Sequence, residues 1–212
     1  MKNADFIVFD FETGGLNENE NPAVQIALLT LDSKTLKEKR RWETFIKPYD
    51  DLVITKKALE SNGLKMTDIN SGISKEELLK ELKTYFTLDN PSNAPMKRPI
   101  MVGHNVGFDM KFLRYIFKDD KKGLSNYIQD IQIDTYSEAL RAFPKETVHK
   151  LGHICSLVGI SLVDAHKAMN DVVATADLFK HFTNKLRSKK GGNSTNDDKT
   201  QIQSKNRLNF QF

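Results

Sequence analysis

The sequence predicts an α/β domain with a mixed β-sheet flanked by helices. Two observations carry this. Three short apolar, strand-like runs fall within the first 46 residues, and from Ser74 onward helical periodicity alternates with short apolar runs. The first strand is read at residues 6–11, apolar and rich in phenylalanine, and the second at 24–31. A third at 42–46 ends before Pro48. Between the first two lie Gly14, Gly15, Asn17, Asn19, Asn21 and Pro22, which are turn residues. Strands this close in sequence suggest an antiparallel meander. Leu78, Leu79, Leu82, Tyr85 and Phe86 then keep helical spacing, and Ser74 with Glu77 writes a capping box at its start. Three prolines mark a loop at 90–99, followed by a short buried strand over 99–103 and a helix carrying Phe112, Leu113, Ile116 and Phe117. Residues 131–134 form a last strand, leading to a helix over 136–143 that Pro144 ends. The final helix is expected over about 168–186, with Val172, Ala176, Phe179, Phe182 and Leu186 along one stripe.

At 212 residues the chain has room for one domain with a substantial core. It divides into a domain at 1–186 and a basic, disordered tail at 187–212, because residues 188–204 carry too little apolar surface to offset their ordering entropy. The net charge of +4 belongs to that tail: six of the basic residues and two of the acidic ones lie beyond position 186, leaving 26 of each sign before it. Basicity therefore says little about the globular part. No run approaches the roughly 20 apolar residues of a membrane span, and no signal-peptide pattern precedes the first strand, so a cytoplasmic protein is expected. The one cysteine, Cys155, lies among Ile154, Leu157 and Val158 and reads as a buried core residue.

Chemistry is carried by three clusters. Asp10 and Glu12 stand two apart on a strand and so share a face, opposite Ile7, Phe9 and Phe11. A divalent cation is a natural partner for two such carboxylates, although alone the pair also suits a solvated strand end. Next comes His104-Asn105-Val106-Gly107-Phe108-Asp109, between a strand and a helix, where Asp109 could equally be an N-cap. The third is Asp164-Ala165-His166-Lys167-Ala168-Met169-Asn170-Asp171, which leads into the final helix. Here His166 and Asp171 can face one site while Val172 and Ala176 face the core.

In order and spacing these clusters resemble the motifs of the DEDD superfamily of 3′ to 5′ exonucleases. The histidine in the third motif is similar to the DEDDh branch, which includes polymerase proofreading subunits and ribonuclease T. Asp10-Phe11-Glu12-Thr13-Gly14 matches the first motif, though many members have a second threonine where Gly14 stands. His104 to Asp109 match H-N-x-x-F-D, and His166, Ala168 and Asp171 match H-x-A-x-x-D. The resemblance covers roughly residues 5–185 and implies a ribonuclease H-like fold.

It also implies a mechanism. Asp10, Glu12, Asp109 and Asp171 would hold two Mg²⁺ or Mn²⁺ ions, with Asp10 bridging them, and His166 would be the general base. His104 would be structural. Thr13, Gly14, Leu16, Asn105 and Phe108 would meet the nucleic acid, with Phe108 equally readable as core. The expected substrate is a single-stranded or frayed 3′ end of DNA, released as 5′-mononucleotides in proofreading, repair or replication. RNA trimming is the alternative. A binding module without catalysis would require one of the five motif residues to be replaced, and all five are present. Finally, Leu208-Asn209-Phe210-Gln211-Phe212 resembles the short peptides that bind bacterial sliding clamps, which makes a clamp or polymerase a candidate partner of the tail.

Overall fold

The computed structural model describes residues 4–164 and 167–191, with side chains through Ser188. Five strands form one sheet: β1 (Phe6–Thr13), β2 (Ala23–Leu31), β3 (Glu38–Phe45), β4 (Ile100–Gly103) and β5 (Gln132–Asp134), in the order β3-β2-β1-β4-β5. The first three make the expected antiparallel meander, while β4 pairs parallel to β1 and β5 parallel to β4. The sheet is therefore mixed, with β1 at its centre.

Alternation along β1 builds the two faces. Ile7, Phe9 and Phe11 point with Ile26 and Leu28 of β2 into one core. That core is closed by α3 (Lys75–Thr87) through Leu78, Leu82 and Phe86, and by α4 (Val106–Ile116) through Met110, Phe112 and Leu113. Val8 points the other way, joining Ala27, Leu29, Leu31 and Val102 under the apolar stripe of α7 (Ala168–Gly191), formed by Val172, Ala176 and Phe179. Each large apolar side chain fully buried here contributes on the order of 2 kcal/mol. Two helices, α1 (Lys56–Asn62) and α2 (Met66–Asn70), sit beyond the meander, and α5 (Thr135–Ala142) and α6 (Leu151–Leu157) pack toward α7.

Most elements lie where the sequence puts them. Ser74 and Glu77 make the capping box in full, Ser74 receiving the Glu77 N–H while the Glu77 carboxylate receives the Ser74 N–H. Two boundaries differ and two helices are new. β3 starts at Glu38 rather than residue 42, because its charged first half pairs with β2 through backbone bonds alone. α1 and α2 are additional. α7 passes the expected end at Leu186 and runs to Gly191, into the stretch read as disordered linker. Arg187, assigned by sequence to the tail, donates from Nη1 to the Lys34 carbonyl (2.9 Å) and from Nη2 to the Ser33 carbonyl (3.2 Å), fastening α7 to the β2–β3 turn. Residues 192–212, and with them Leu208 to Phe212, lie outside the described residues.

Cys155 is fully buried, and burial pushes its thiol up to about 11, so it behaves as a core residue and not as a nucleophile. Among the described residues no helix is long and apolar enough to cross a membrane.

Candidate active site

β1 delivers the first two carboxylates. Asp10 is opposite Ala27 and Glu12 opposite Gln25 in the β1–β2 ladder, so both stand on the face that α7 covers. α7 brings the third: Asp171 lies in its first turn, one residue before the buried Val172. Ligand oxygens of Asp10, Glu12 and Asp171 all lie within 4.8 Å of one another. The loop before α7 is held in place by Asn170, whose Nδ2 donates to the carbonyls of Val163 (2.9 Å) and Asp164 (3.2 Å). The Lys167–Asp164 ion pair at 2.9 Å spans the same loop.

Asp109 arrives from the opposite side. It is not the N-cap of α4, a place taken by Asn105 in the left-handed conformation (φ 65°). Because β4 pairs with β1 only as far as Val8, the Phe11 N–H has no strand partner there. The buried Asp109 carboxylate accepts it at 3.0 Å. One hydrogen bond thus ties α4 to the stretch of β1 that carries Asp10 and Glu12.

The electrostatics show how crowded this is. Burial, then Asp109, Glu12 and Asp171 in turn, raise the Asp10 carboxyl well above its ordinary value. Burial, with Asp171 and Asp109, pushes Glu12 up to about 8. Burial raises Asp109 to about 7 against the opposing pull of the Phe11 N–H. Asp10, Glu12 and Asp171 drawn together this closely, with Asp109 near enough to raise Asp10 and Glu12 but outside the 4.8 Å group, hold their charges only at high cost unless a cation shares the site. The donor set is all oxygen and closely spaced, which fits a hard divalent cation.

The other predicted residues fall into place unevenly. His166 lies outside the described residues. His104 is built into the fold: its Nε2 donates to the His149 carbonyl (2.8 Å) and its Nδ1 sits 3.0 Å from the Thr135 hydroxyl. Burial holds its pKa below the usual histidine range. Thr13 and Gly14 use their polar groups within the turn, the Thr13 hydroxyl donating to Gly15 O (2.7 Å), Gly14 N to Pro22 O (2.7 Å), and Gly14 O accepting from Thr55 N (2.8 Å). A β-carbon on Gly14 would stand 2.9 Å from Pro22 Cδ and 3.1 Å from Ile54 Cα, so the turn has no room for the threonine of many relatives. Leu16, by contrast, three residues past the end of β1, is 82% exposed. Asn105 is exposed, and Phe108 is half-buried against the core and packs on Phe112, with ring centroids 5.1 Å apart.

Sequence reading gave no role to two supports. Asp134 gathers the N–H groups of Asn105 (2.8 Å), Val106 (3.4 Å) and Tyr136 (3.0 Å) on one oxygen, tying the start of α4 to the start of α5. Its place at a strand end before a helix was the available signal. Asn62 of α1 donates to the Thr13 carbonyl at 3.1 Å, a contact between residues far apart in sequence that no local pattern announces.

Comparison with known proteins agrees with this geometry. The sequence model of the RNase_T family, described as exonuclease, matches residues 7–179. Ribonuclease T of Photobacterium profundum is 28% identical over 193 residues, 88% of this chain and 84% of that protein. A PolC-type DNA polymerase III of Oceanobacillus iheyensis is 28% identical over 189 residues, 89% of this chain but 12% of the polymerase. In three dimensions the chain is similar to E. coli Exonuclease I in complex with a dT13 oligonucleotide, with a TM-score of 0.72 at 22% identity, covering 89% of this chain and 43% of that one. A zinc-bound complex of Exonuclease I with single-stranded DNA is equally similar, with a TM-score of 0.71. The chain thus spans less than half of Exonuclease I and a small part of the polymerase, and shares the ribonuclease H-like exonuclease fold. With all three motifs inside the matched segment and their carboxylates gathered at one strand end, the chain belongs to the RNase_T exonuclease family, whose members are metal-dependent 3′ to 5′ exonucleases.

Proposed function

We propose that the chain removes 5′-mononucleotides one at a time from single-stranded or frayed 3′ ends of DNA. Asp10, Glu12, Asp109 and Asp171 are the residues that would hold Mg²⁺ or Mn²⁺, two ions per site. The observation that carries this reading is the approach of the Asp10, Glu12 and Asp171 oxygens to within 4.8 Å of one another. Such ions, when bound, neutralise charge on the attacking and leaving oxygens of an in-line displacement.

The chain's own residues supply the rest. His166 takes a proton from the attacking water as its oxygen bonds to the terminal phosphorus. The bond from phosphorus to the 3′ oxygen breaks, and the nucleotide leaves with a 5′ phosphate. Leu16, standing out into solvent next to Glu12's strand, offers an apolar surface for a terminal base, and Phe108 a partly open ring. His166→Ala is expected to lower turnover on the order of 10²-fold or more while leaving metal and single-strand binding in place. Near-normal turnover in that variant would reject His166 as the base.

RNA is the second reading. It is favoured by the match to ribonuclease T, which extends over 84% of that protein, whereas the polymerase match is to a small segment. Rates on single-stranded DNA, on RNA of the same sequence and on a 3′-mismatched duplex, each with Mg²⁺ or EDTA, separate the two. Faster DNA turnover that EDTA abolishes is expected. Faster RNA turnover would transfer the assignment to RNA trimming, and no metal-dependent hydrolysis of any of the three would overturn both. A sliding-clamp or polymerase contact through Leu208 to Phe212 belongs to the same reading. Deleting residues 205–212 should abolish clamp binding without changing the rate on short oligonucleotides, and clamp binding that survives the deletion would sink it.

A further inference from the structure

The end of β1 is an overhang. Its parallel pairing with β4 stops at Val8, and its ladder with β2 shifts register between Glu12 and Thr13. At Asp10 and Glu12 the strand is therefore paired on its β2 side and not with β4, and the register breaks directly after Glu12. Asp109 holds the Phe11 N–H. Beyond Glu12, where Thr13 still faces Ala23 and Gly14 N donates to Pro22 O, two further bonds come from α1.

α1 is an unusual helix in this fold because none of its residues is buried. No apolar stripe fixes its place. It is attached to the Thr13-Gly14 turn at both ends: the Thr55 N–H at its N-cap donates to Gly14 O at 2.8 Å, and the Asn62 Nδ2 in its last turn donates to Thr13 O at 3.1 Å. Gly63, left-handed at φ 65°, ends the helix directly after Asn62, its N–H turning back to Leu59 O, and this fixes where the Asn62 side chain leaves the backbone.

We propose that Asn62 is a positioning residue for the reaction: by gripping the carbonyl next to Glu12 it sets the height and direction of the Glu12 carboxylate relative to Asp10 and Asp171. The inference rests on Glu12 being a metal-holding residue. It adds that the Glu12 backbone, paired with Gln25 on the β2 side, is aligned from beyond the strand end by a surface helix. Thr13 is itself buried and its hydroxyl is committed to Gly15 O, so the carbonyl is the handle left for such a contact.

The test compares Asn62→Leu, of similar size but without a donor, with Asn62→His, whose Nδ1–H stands at the same distance from Cβ as the lost amide nitrogen. Asn62→Ala serves if leucine disturbs folding. On a short single-stranded oligonucleotide the leucine variant should lose about tenfold in kcat, with KM within about twofold and a higher half-saturating Mg²⁺ concentration, which is ~1.4 kcal/mol of lost alignment. The histidine variant should recover most of the loss. Wild-type kcat in the leucine and alanine variants, or a histidine variant no better than leucine, would overturn the proposal. Glu12→Gln, assayed alongside, keeps the two ideas apart: an active Glu12→Gln enzyme rejects the role of Glu12 itself, while an inactive one beside an unimpaired Asn62→Leu rejects only the role of Asn62.

Discussion

Asp10→Asn is expected to lower nucleolytic activity about 10³-fold or more and, in the same protein, to raise the melting temperature measured in EDTA. Both effects come from one carboxylate. Asp10 sits at the centre of the cluster, its ionisation opposed by burial and by Asp109, Glu12 and Asp171. In the metal-free protein an asparagine of the same shape relieves that repulsion, whereas under assay conditions it removes a negative oxygen from the ion site. Scanning calorimetry in EDTA and a 3′-labelled oligonucleotide assay in Mg²⁺ measure the two sides separately. Activity within about tenfold of wild type, or a lower melting temperature in EDTA, would contradict the arrangement described.

The second large effect is a coupling between pH and divalent ions. Glu12 is pushed up to about 8 from an ordinary 4.5, and Asp109 to about 7 from 3.8. Between those limits the metal-free folded state binds more protons than the unfolded chain, so its stability falls as pH rises. The protonated clusters stabilise the fold fully below about pH 4, and that contribution is gone above about pH 8. A divalent cation prefers the deprotonated carboxylates, so its stabilisation runs the other way. Mg²⁺ or Mn²⁺ should therefore raise the melting temperature by several degrees at pH 8 and by little at pH 5, relative to EDTA. An equal shift at both pH values, or none at pH 8, would show that these carboxylates do not hold the ion.

What the sequence disclosed follows from where burial leaves a periodic trace. The alternation of Ile7, Phe9 and Phe11 against Asp10 and Glu12 gave both the strand and the side that carries the carboxylates, because core and site lie on opposite faces of one strand. The stripe of Val172, Ala176 and Phe179 likewise put Asp171 on the correct flank of α7. α1 left no such trace, since none of its residues is fully buried, and so the helix and the grip of Asn62 were not legible in the sequence. Of the two readings of Asp109, the structure removes the local one: the capping geometry went to Asn105, and the carboxylate accepts the Phe11 N–H that the short β4 leaves unpaired. The far end of α7 was placed short because Ser188 and the residues after it lack apolar character, while Arg187 found its partners in the carbonyls of a turn distant in sequence.

That fastening has a consequence for anything joined beyond the helix. Asp171 and Arg187 belong to the same continuous α7, and at 1.5 Å per residue their positions are roughly 24 Å apart along its axis. The carboxylate cluster and the outgoing chain thus lie toward the two ends of a strut, which carries Asp171 at one and is fastened at the other to the β2–β3 turn. A partner or domain attached after Gly191 starts from a fixed offset to the site, measured by helix length, and its reach toward the substrate is counted only from there.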